Sequence, residues 1–288
     1  MKKTYWLLIS LFLLTLLTVG FASCGLTAPE SPGNSQTSEK QETVAPILPE
    51  SQPDLPSDTE PETVPETDPP ANLYDFSKPV PEGTPVTVDW FRDTLFIGDS
   101  RTVGMILYSD LAPIDCTSVG LSVIKLKNAY IPMEDGSTVS CMDMLWAKKG
   151  QYKAVYISLG VNELGWDADT YITYYGKMLD DIRAVTNVPI YIQLVLPVTN
   201  EYAAASPYGI SNANVTAFNE KLRAVAAEKQ VFLLDPYAYY ALADGSLNPE
   251  YTTDGAHLTV TECRNMVDFY CRHVVDFDAY DNIQETHD

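Results

Sequence analysis

Thr94-Leu95-Phe96-Ile97-Gly98-Asp99-Ser100 decides the reading of this chain, because a short uncharged run leads straight into a glycine, an acid and a hydroxyl. Such a run, rich in β-branched and large apolar residues, reads as a strand buried on both faces. The pattern recurs at Ala154 to Leu159, Ile190 to Leu196 and Val231 to Leu234. Helical patterns fall between these runs. Asp169 to about Val185 carries Ile172, Tyr175, Leu179 and Ile182 at helical spacing, and Asn212 to Lys229 does the same with Val215, Phe218, Leu222 and Val225. A last helix opens with Thr259-x-x-Glu262, a capping-box spacing, and runs to about His273. Strands separated by helices predict a parallel sheet covered on both faces through right-handed crossovers.

Ligands of such sheets bind beyond the carboxyl ends of the strands. Gly98-Asp99-Ser100 follows one strand and Gly160-Val161-Asn162-Glu163 follows another, so both tips can converge on one crevice. A helix starting near Arg101 would turn the Ser100 amide and its own positive end toward a developing oxyanion. Histidine is scarce, with His257, His273 and His287 alone. His287 lies in a polar tail and His273 near a helix end, where dipole contact accounts for it. Asp254 precedes His257 by three residues, close enough to accept from one ring nitrogen and leave the other for the Ser100 hydroxyl. The Asn162 side chain can donate to an oxyanion without titrating, and Gly120, in Ser118-Val119-Gly120-Leu121, is a candidate for a further backbone donor. Nucleophile, acid-plus-base pair and oxyanion donors are the kit for acyl transfer through a serine ester.

These blocks, in this order from Asp93 to His273, resemble the SGNH or GDSL-type hydrolases, a family of serine esterases, lipases and deacetylases. The resemblance matches Ser100 to the nucleophile, Gly120 and Asn162 to oxyanion positions, and Asp254 with His257 to the D-x-x-H pair. It implies an α/β fold of the flavodoxin-like kind, a three-layer α/β/α sandwich on a mainly parallel sheet, and a two-step ester hydrolysis without cofactor. Two positions depart from the pattern. Arg101 stands for the Leu of GDSL, and Glu163 for the Asp that usually follows the third-block Asn. Neither removes a catalytic atom, and both are candidates for substrate binding. Arg101 would set a cation at the crevice and so point to a carboxylate-bearing or sugar-acid substrate, with a surface salt bridge as the alternative. The first block has no obvious hydrophobic lid and no long insertion separates the blocks. A small acyl group such as acetyl, on a small ester or a carbohydrate, is therefore expected. An O-acyltransferase of cell-envelope sugars and a silent carbohydrate-binding lipoprotein are the rival readings; intact Ser100, Asn162, Asp254 and His257 speak against the second.

Composition sets the surroundings. The 288 residues are 45% hydrophobic and carry a formal net charge of -21, with no cluster of Lys and Arg for a nucleic-acid partner. Lys2 and Lys3 precede an apolar stretch from Tyr5 to about Ala22 that ends Phe21-Ala22-Ser23-Cys24. This resembles a bacterial lipobox, with residues 1–23 as leader and Cys24 as the lipidated residue; a retained membrane-spanning helix is the alternative. Residues 24–86, rich in Pro, Ser, Thr and Glu, read as a disordered acidic tether whose ~60 residues average ~45 Å end to end as a flexible coil. The catalytic domain is then 87–288, extracytoplasmic, and membrane-bound only through its lipid. Cys116, Cys141, Cys263 and Cys271 permit disulfides in that compartment. Cys263 and Cys271 lie about 12 Å apart along one helix, too far to pair, and share its apolar stripe as buried thiols. No Cys or His spacing matches a zinc site.

Overall fold

Strands β1 (Thr94–Gly98), β2 (Ile114–Thr117), β5 (Ala154–Ser158), β6 (Ile190–Gln193) and β7 (Phe232–Leu234) form one sheet in the order β2-β1-β5-β6-β7. Every pairing in it is parallel. Counted along the chain, that order is the flavodoxin-like 2-1-3-4-5, whose direction reverses between β1 and β5. The small antiparallel pair β3 (Tyr130–Pro132) and β4 (Thr138–Ser140) lies outside it. The computed structural model describes residues 74–128, 130–133 and 135–275. The leader, Cys24, the tether up to residue 73 and His287 lie outside the described residues.

Successive strand residues point to opposite faces, and the sheet separates two cores accordingly. Leu95, Ile97, Val155, Ile157, Ile190 and Ile192 belong to one core. There they meet α3 (Ala168–Arg183) and α5 (Asn212–Lys229), which bring Tyr171, Tyr175, Leu179, Phe218 and Leu222. On the other face α1 (Ser100–Leu107) and α7 (Val260–Arg272) cover Phe96, Tyr156, Tyr191 and Phe232. These four rings form a ladder across four neighbouring strands, with centroid separations of 4.9, 4.4 and 4.9 Å. Such buried aromatic pairs are worth about 0.5–1.5 kcal/mol each beyond the area they remove from water. The shorter helices α2 (Cys141–Ala147), α4 (Asn200–Ala205) and α6 (Tyr237–Tyr240) complete the fold.

The domain begins earlier than its composition indicates. Residues 74–86, expected as the end of the tether, lie against the sheet and α7: Phe76 and Val80 are buried, and the Val80 amide donates to the Leu233 carbonyl at 2.8 Å. The Gly83 and Val86 amides donate to Arg272 and Cys271 carbonyls. Tyr74 and Phe76 close over Phe232, which supplies the apolar burial that the rest of the tether's composition lacks. At the start of α7, Thr259 Oγ1 accepts from the Glu262 amide at 3.3 Å, whereas the Thr259 amide donates to the Tyr251 carbonyl, so one half of the capping box forms. Cys263 and Cys271 are buried free thiols, as are Cys116 and Cys141.

Candidate active site

The β1 strand ends at Gly98, and Asp99 caps α1 by accepting from the Arg101 amide at 2.9 Å. Ser100 is thereby the first residue of the helix, where its amide has no acceptor within the helix and the dipole favours negative charge. Asp99 itself is buried beneath this turn. Burial pushes its carboxyl up to about 6 against the pull of the Arg101 charge and of amides from Arg101 and Val161.

The base arrives on the loop before α7. His257 Nε2 lies 2.8 Å from Ser100 Oγ, and His257 Nδ1 lies 2.7 Å from Asp254 Oδ2. An ionised carboxylate only accepts, so Nδ1 carries the proton and the Nε2 lone pair faces the serine hydroxyl. Asp254 Oδ1 accepts from the amides of Ala256 and His257 at 3.0 and 2.8 Å. Half-burial works to raise the Asp254 carboxyl, but the His257 ring and these amides outweigh it and hold it well below the usual carboxylate range. The loop is fixed in turn: the Thr199 amide donates to the Gly255 carbonyl, and Thr252 Oγ1 to that of His257 at 2.6 Å.

Asn162 sits in a single 3-10 turn, Val161–Glu163, at the tip of β5, the strand next to β1. Its Nδ2 donates one hydrogen to the Leu121 carbonyl at 2.8 Å and keeps a second for another acceptor. Gly120 has φ +75, a conformation glycine adopts freely, and among the described residues its amide meets no acceptor. Ser100, Asp254 and His257 are thus directly linked, while Asn162 grips the loop that carries Gly120.

Arg101 and Glu163 do not face a substrate. Arg101 Nε donates to the Ala256 carbonyl at 2.8 Å, and its two terminal nitrogens donate to Leu196 and Pro197 carbonyls at 2.8 and 2.9 Å. The fork is spent on backbone, which removes it as a cation for a substrate carboxylate and excludes a surface salt bridge as well. Glu163 is fully buried, and its Oε1 accepts from the Val123 amide at 2.8 Å. Burial, with the Asp99 charge adding to it, raises the Glu163 carboxyl to about 7 against the pull of the Val123 amide. Sequence reasoning gave Asp99 no task of its own, although an Asp directly before a helix start is the ordinary sign of an N-cap. His273 accepts its bland role, with Nδ1 2.7 Å from the Phe269 carbonyl at the end of α7.

Comparison with known proteins supplies a family and a fold. The model of the GDSL-like Lipase/Acylhydrolase family matches residues 96–261, more than half of the chain. Among solved structures, a candidate platelet activating factor from Streptococcus pneumonia superposes with a TM-score of 0.50 at 21% identity, over 62% of this chain and 83% of that one. A GDSL-like lipase from Bacteroides thetaiotaomicron gives 0.47 at 16% identity, over 63% and 86%. At 21% identity the first of these likenesses speaks for the fold alone. No curated protein matches the chain. With the family model spanning the nucleophile turn, the Asn162 turn and the Asp254–His257 loop, the chain belongs to the GDSL-like lipase/acylhydrolase family and is a serine ester hydrolase.

Proposed function

We propose that this hydrolase removes short acyl groups, acetyl foremost, from carbohydrate esters outside the cytoplasm, held to the membrane by a lipid on Cys24. The observation that carries the reaction is the chain of contacts from Asp254 through His257 to Ser100 Oγ, at 2.7 and 2.8 Å. His257 takes the Ser100 proton as Oγ attacks the ester carbonyl, and returns it to the departing alcohol. Water, activated by the same imidazole, then attacks the acyl-serine and frees the acid. The Ser100 and Gly120 amides and Asn162 Nδ2 hold the oxyanion in both steps; one such donor typically contributes about 2.7–4 kcal/mol of transition-state stabilisation.

A small acyl group on a bulky alcohol suits the exposure of the base, since the side chains of His257 and Asp254 are 41% and 40% exposed. A large hydrophilic alcohol can approach them from solvent. A sugar alcohol is favoured by Tyr208, 76% exposed between α4 and α5. That segment runs from the helix joined through Thr199 to the Asp254–His257 loop to the helix whose Asn214 Nδ2 holds the Leu164 carbonyl at 2.6 Å. The Tyr208 ring offers sugars an amphipathic face.

The test is a chain-length series of aryl esters together with acetylated xylan and acetylated N-acetylglucosamine oligomers. Release of acetate from a carbohydrate, falling steeply with acyl length in the aryl series and abolished by Ser100→Ala, is the expected result. Equal rates on acetyl and decanoyl esters would exclude the short-acyl reading. For the anchor, Cys24→Ala should release the protein into the soluble fraction of cells that express it.

A further inference from the structure

We propose that Glu163 is a positioning residue that latches the oxyanion loop, residues 118–123, onto the Asn162 turn. The inference rests on the oxyanion role given above to Gly120 and Asn162. Two adjacent side chains of one 3-10 turn reach the same loop: Asn162 Nδ2 holds the Leu121 carbonyl and Glu163 Oε1 holds the Val123 amide, each at 2.8 Å. The start of the loop is fixed separately, by the Ser118 amide on the Gly98 carbonyl at 3.0 Å. Gly120 lies between these fixed points, in a turn closed by the Leu121 amide on the Ser118 carbonyl at 3.1 Å. The Gly120 carbonyl accepts from Lys125 Nζ at 3.1 Å, an exposed contact.

Glu163 is a costly way to fill this space. It is fully buried, and its Oε2 has no hydrogen-bond partner. The charged and titratable groups facing it are Asp99 from the nucleophile turn, Lys125 from the oxyanion loop's continuation, and Tyr171 and Tyr175 from α3. The Asp99 charge adds to the cost of burial, the Lys125 charge pulls against it, and among the described residues Glu163 forms no ion pair. An apolar side chain of equal length would avoid leaving a polar oxygen unsatisfied. What such a side chain lacks is an acceptor for the Val123 amide. Without it, the loop's far end is released while Asn162 still pulls at Leu121, and the Gly120 amide drifts from the place where the oxyanion develops.

Kinetics of the full-length chain on p-nitrophenyl acetate test this with Glu163→Met, Glu163→Gln, Asn162→Ala and the double variant Glu163→Met/Asn162→Ala. Glu163→Met keeps length and burial but removes the acceptor. Its kcat should fall by about tenfold or more with KM changed less than about twofold, because donors displaced by an ångström lose their hold on the transition state first. Glu163→Gln presents an oxygen to the Val123 amide and should restore kcat to within about threefold of the parent. In the Asn162→Ala background, the Glu163→Met loss should shrink, since both changes act through one loop. Should Glu163→Met fail to fold, Glu163→Ala replaces it in every comparison. A folded Glu163→Met with the parent kcat, a Glu163→Gln no better than Glu163→Met, or fully additive losses would each overturn the proposal. An Asn162→Ala variant with full activity would instead remove the oxyanion reading on which it stands.

Discussion

Replacing Arg101 by Met separates a structural fork from a substrate-binding cation. In the structure the guanidinium donates three hydrogen bonds, to the carbonyls of Ala256, Leu196 and Pro197, all between 2.8 and 2.9 Å. Hydrogen bonds to a charged group are worth about 1.5–3 kcal/mol each, so at the lower end the three together come to about 4.5 kcal/mol. With an m-value of about 2 kcal/mol per M urea for a domain of this size, the unfolding midpoint should fall by about 2 M. The change also removes the cation that opposes burial of Asp99, so that carboxyl should rise above its present value of about 6. Because Ala256 lies beside His257, the neutral ester p-nitrophenyl acetate should lose about tenfold in kcat. Arg101→Lys should recover little stability, since an ammonium cannot reproduce a three-pronged planar donor. Urea titrations followed by tryptophan fluorescence, with kinetics on a neutral and a carboxylate-bearing aryl ester, decide the matter. A midpoint within about 0.3 M of the parent, with KM raised on the carboxylate ester alone, would refute the structural role.

Gly160→Ala should destabilise the chain by about 2–4 kcal/mol, because a Cβ there would lie 2.5 Å from Val195 Cγ2 and 2.9 Å from Tyr171 Oη at a φ of +140. The same change moves the Asn162 turn, so kcat should fall with it, and parent stability in a urea titration would contradict the steric argument. Glu163→Gln should change the pH dependence of stability. The buried carboxyl titrates near 7 against an ordinary value of 4.5, so between these limits the unfolded chain releases a proton that the folded one retains, and stability drops as pH rises. Gln lacks this term, and its stability relative to the parent should improve by about 3 kcal/mol from pH 4.5 to pH 8. An equal difference at both pH values would show that Glu163 is not held uncharged by its surroundings.

Periodicity exposed the frame of the molecule. Four buried strands and the helices Ala168–Arg183, Asn212–Lys229 and Val260–Arg272 lie where uncharged runs and helical spacing put them. Strand β2 escaped because Ile114-Asp115-Cys116-Thr117 is short, charged and at the sheet edge, where one side needs no apolar cover. The tether's end was misjudged because Pro and Glu at 79–82 mask two aromatics, Tyr74 and Phe76, that bury against Phe232. The triad was legible because scarcity of histidine left one candidate with an acid three residues ahead. Arg101 and Glu163 were not. Their positions beside Ser100 and Asn162 suggested the crevice, but a side chain's direction depends on what the opposite loop offers, and three free carbonyls and one free amide drew these two inward.

That inward turn explains how a base loop that follows no strand of the sheet meets the nucleophile. Ser100 and Asn162 are placed by β1 and β5, which pair in register from Thr94 with Ala154 to Gly98 with Ser158. The loop 252–258 has no such partner: it is reached after β7 and α6, and its backbone is bound by Thr252, Thr199 and the Arg101 fork. Arg101 is the residue after the nucleophile, so the side chain that holds the His257 loop springs from the same helix turn as the hydroxyl His257 must reach. Displacing either end moves the other. The 2.8 Å contact between Ser100 Oγ and His257 Nε2 therefore joins two segments that the Arg101 side chain also ties together. The proposed oxyanion donors have no such shared root: Ser100 and Asn162 lie at the ends of β1 and β5, and Gly120 in the loop after β2. There the latch from Glu163 to Val123 takes the place of the Arg101 fork, one buried polar side chain on each flank of the crevice binding a loop that the sheet alone does not position.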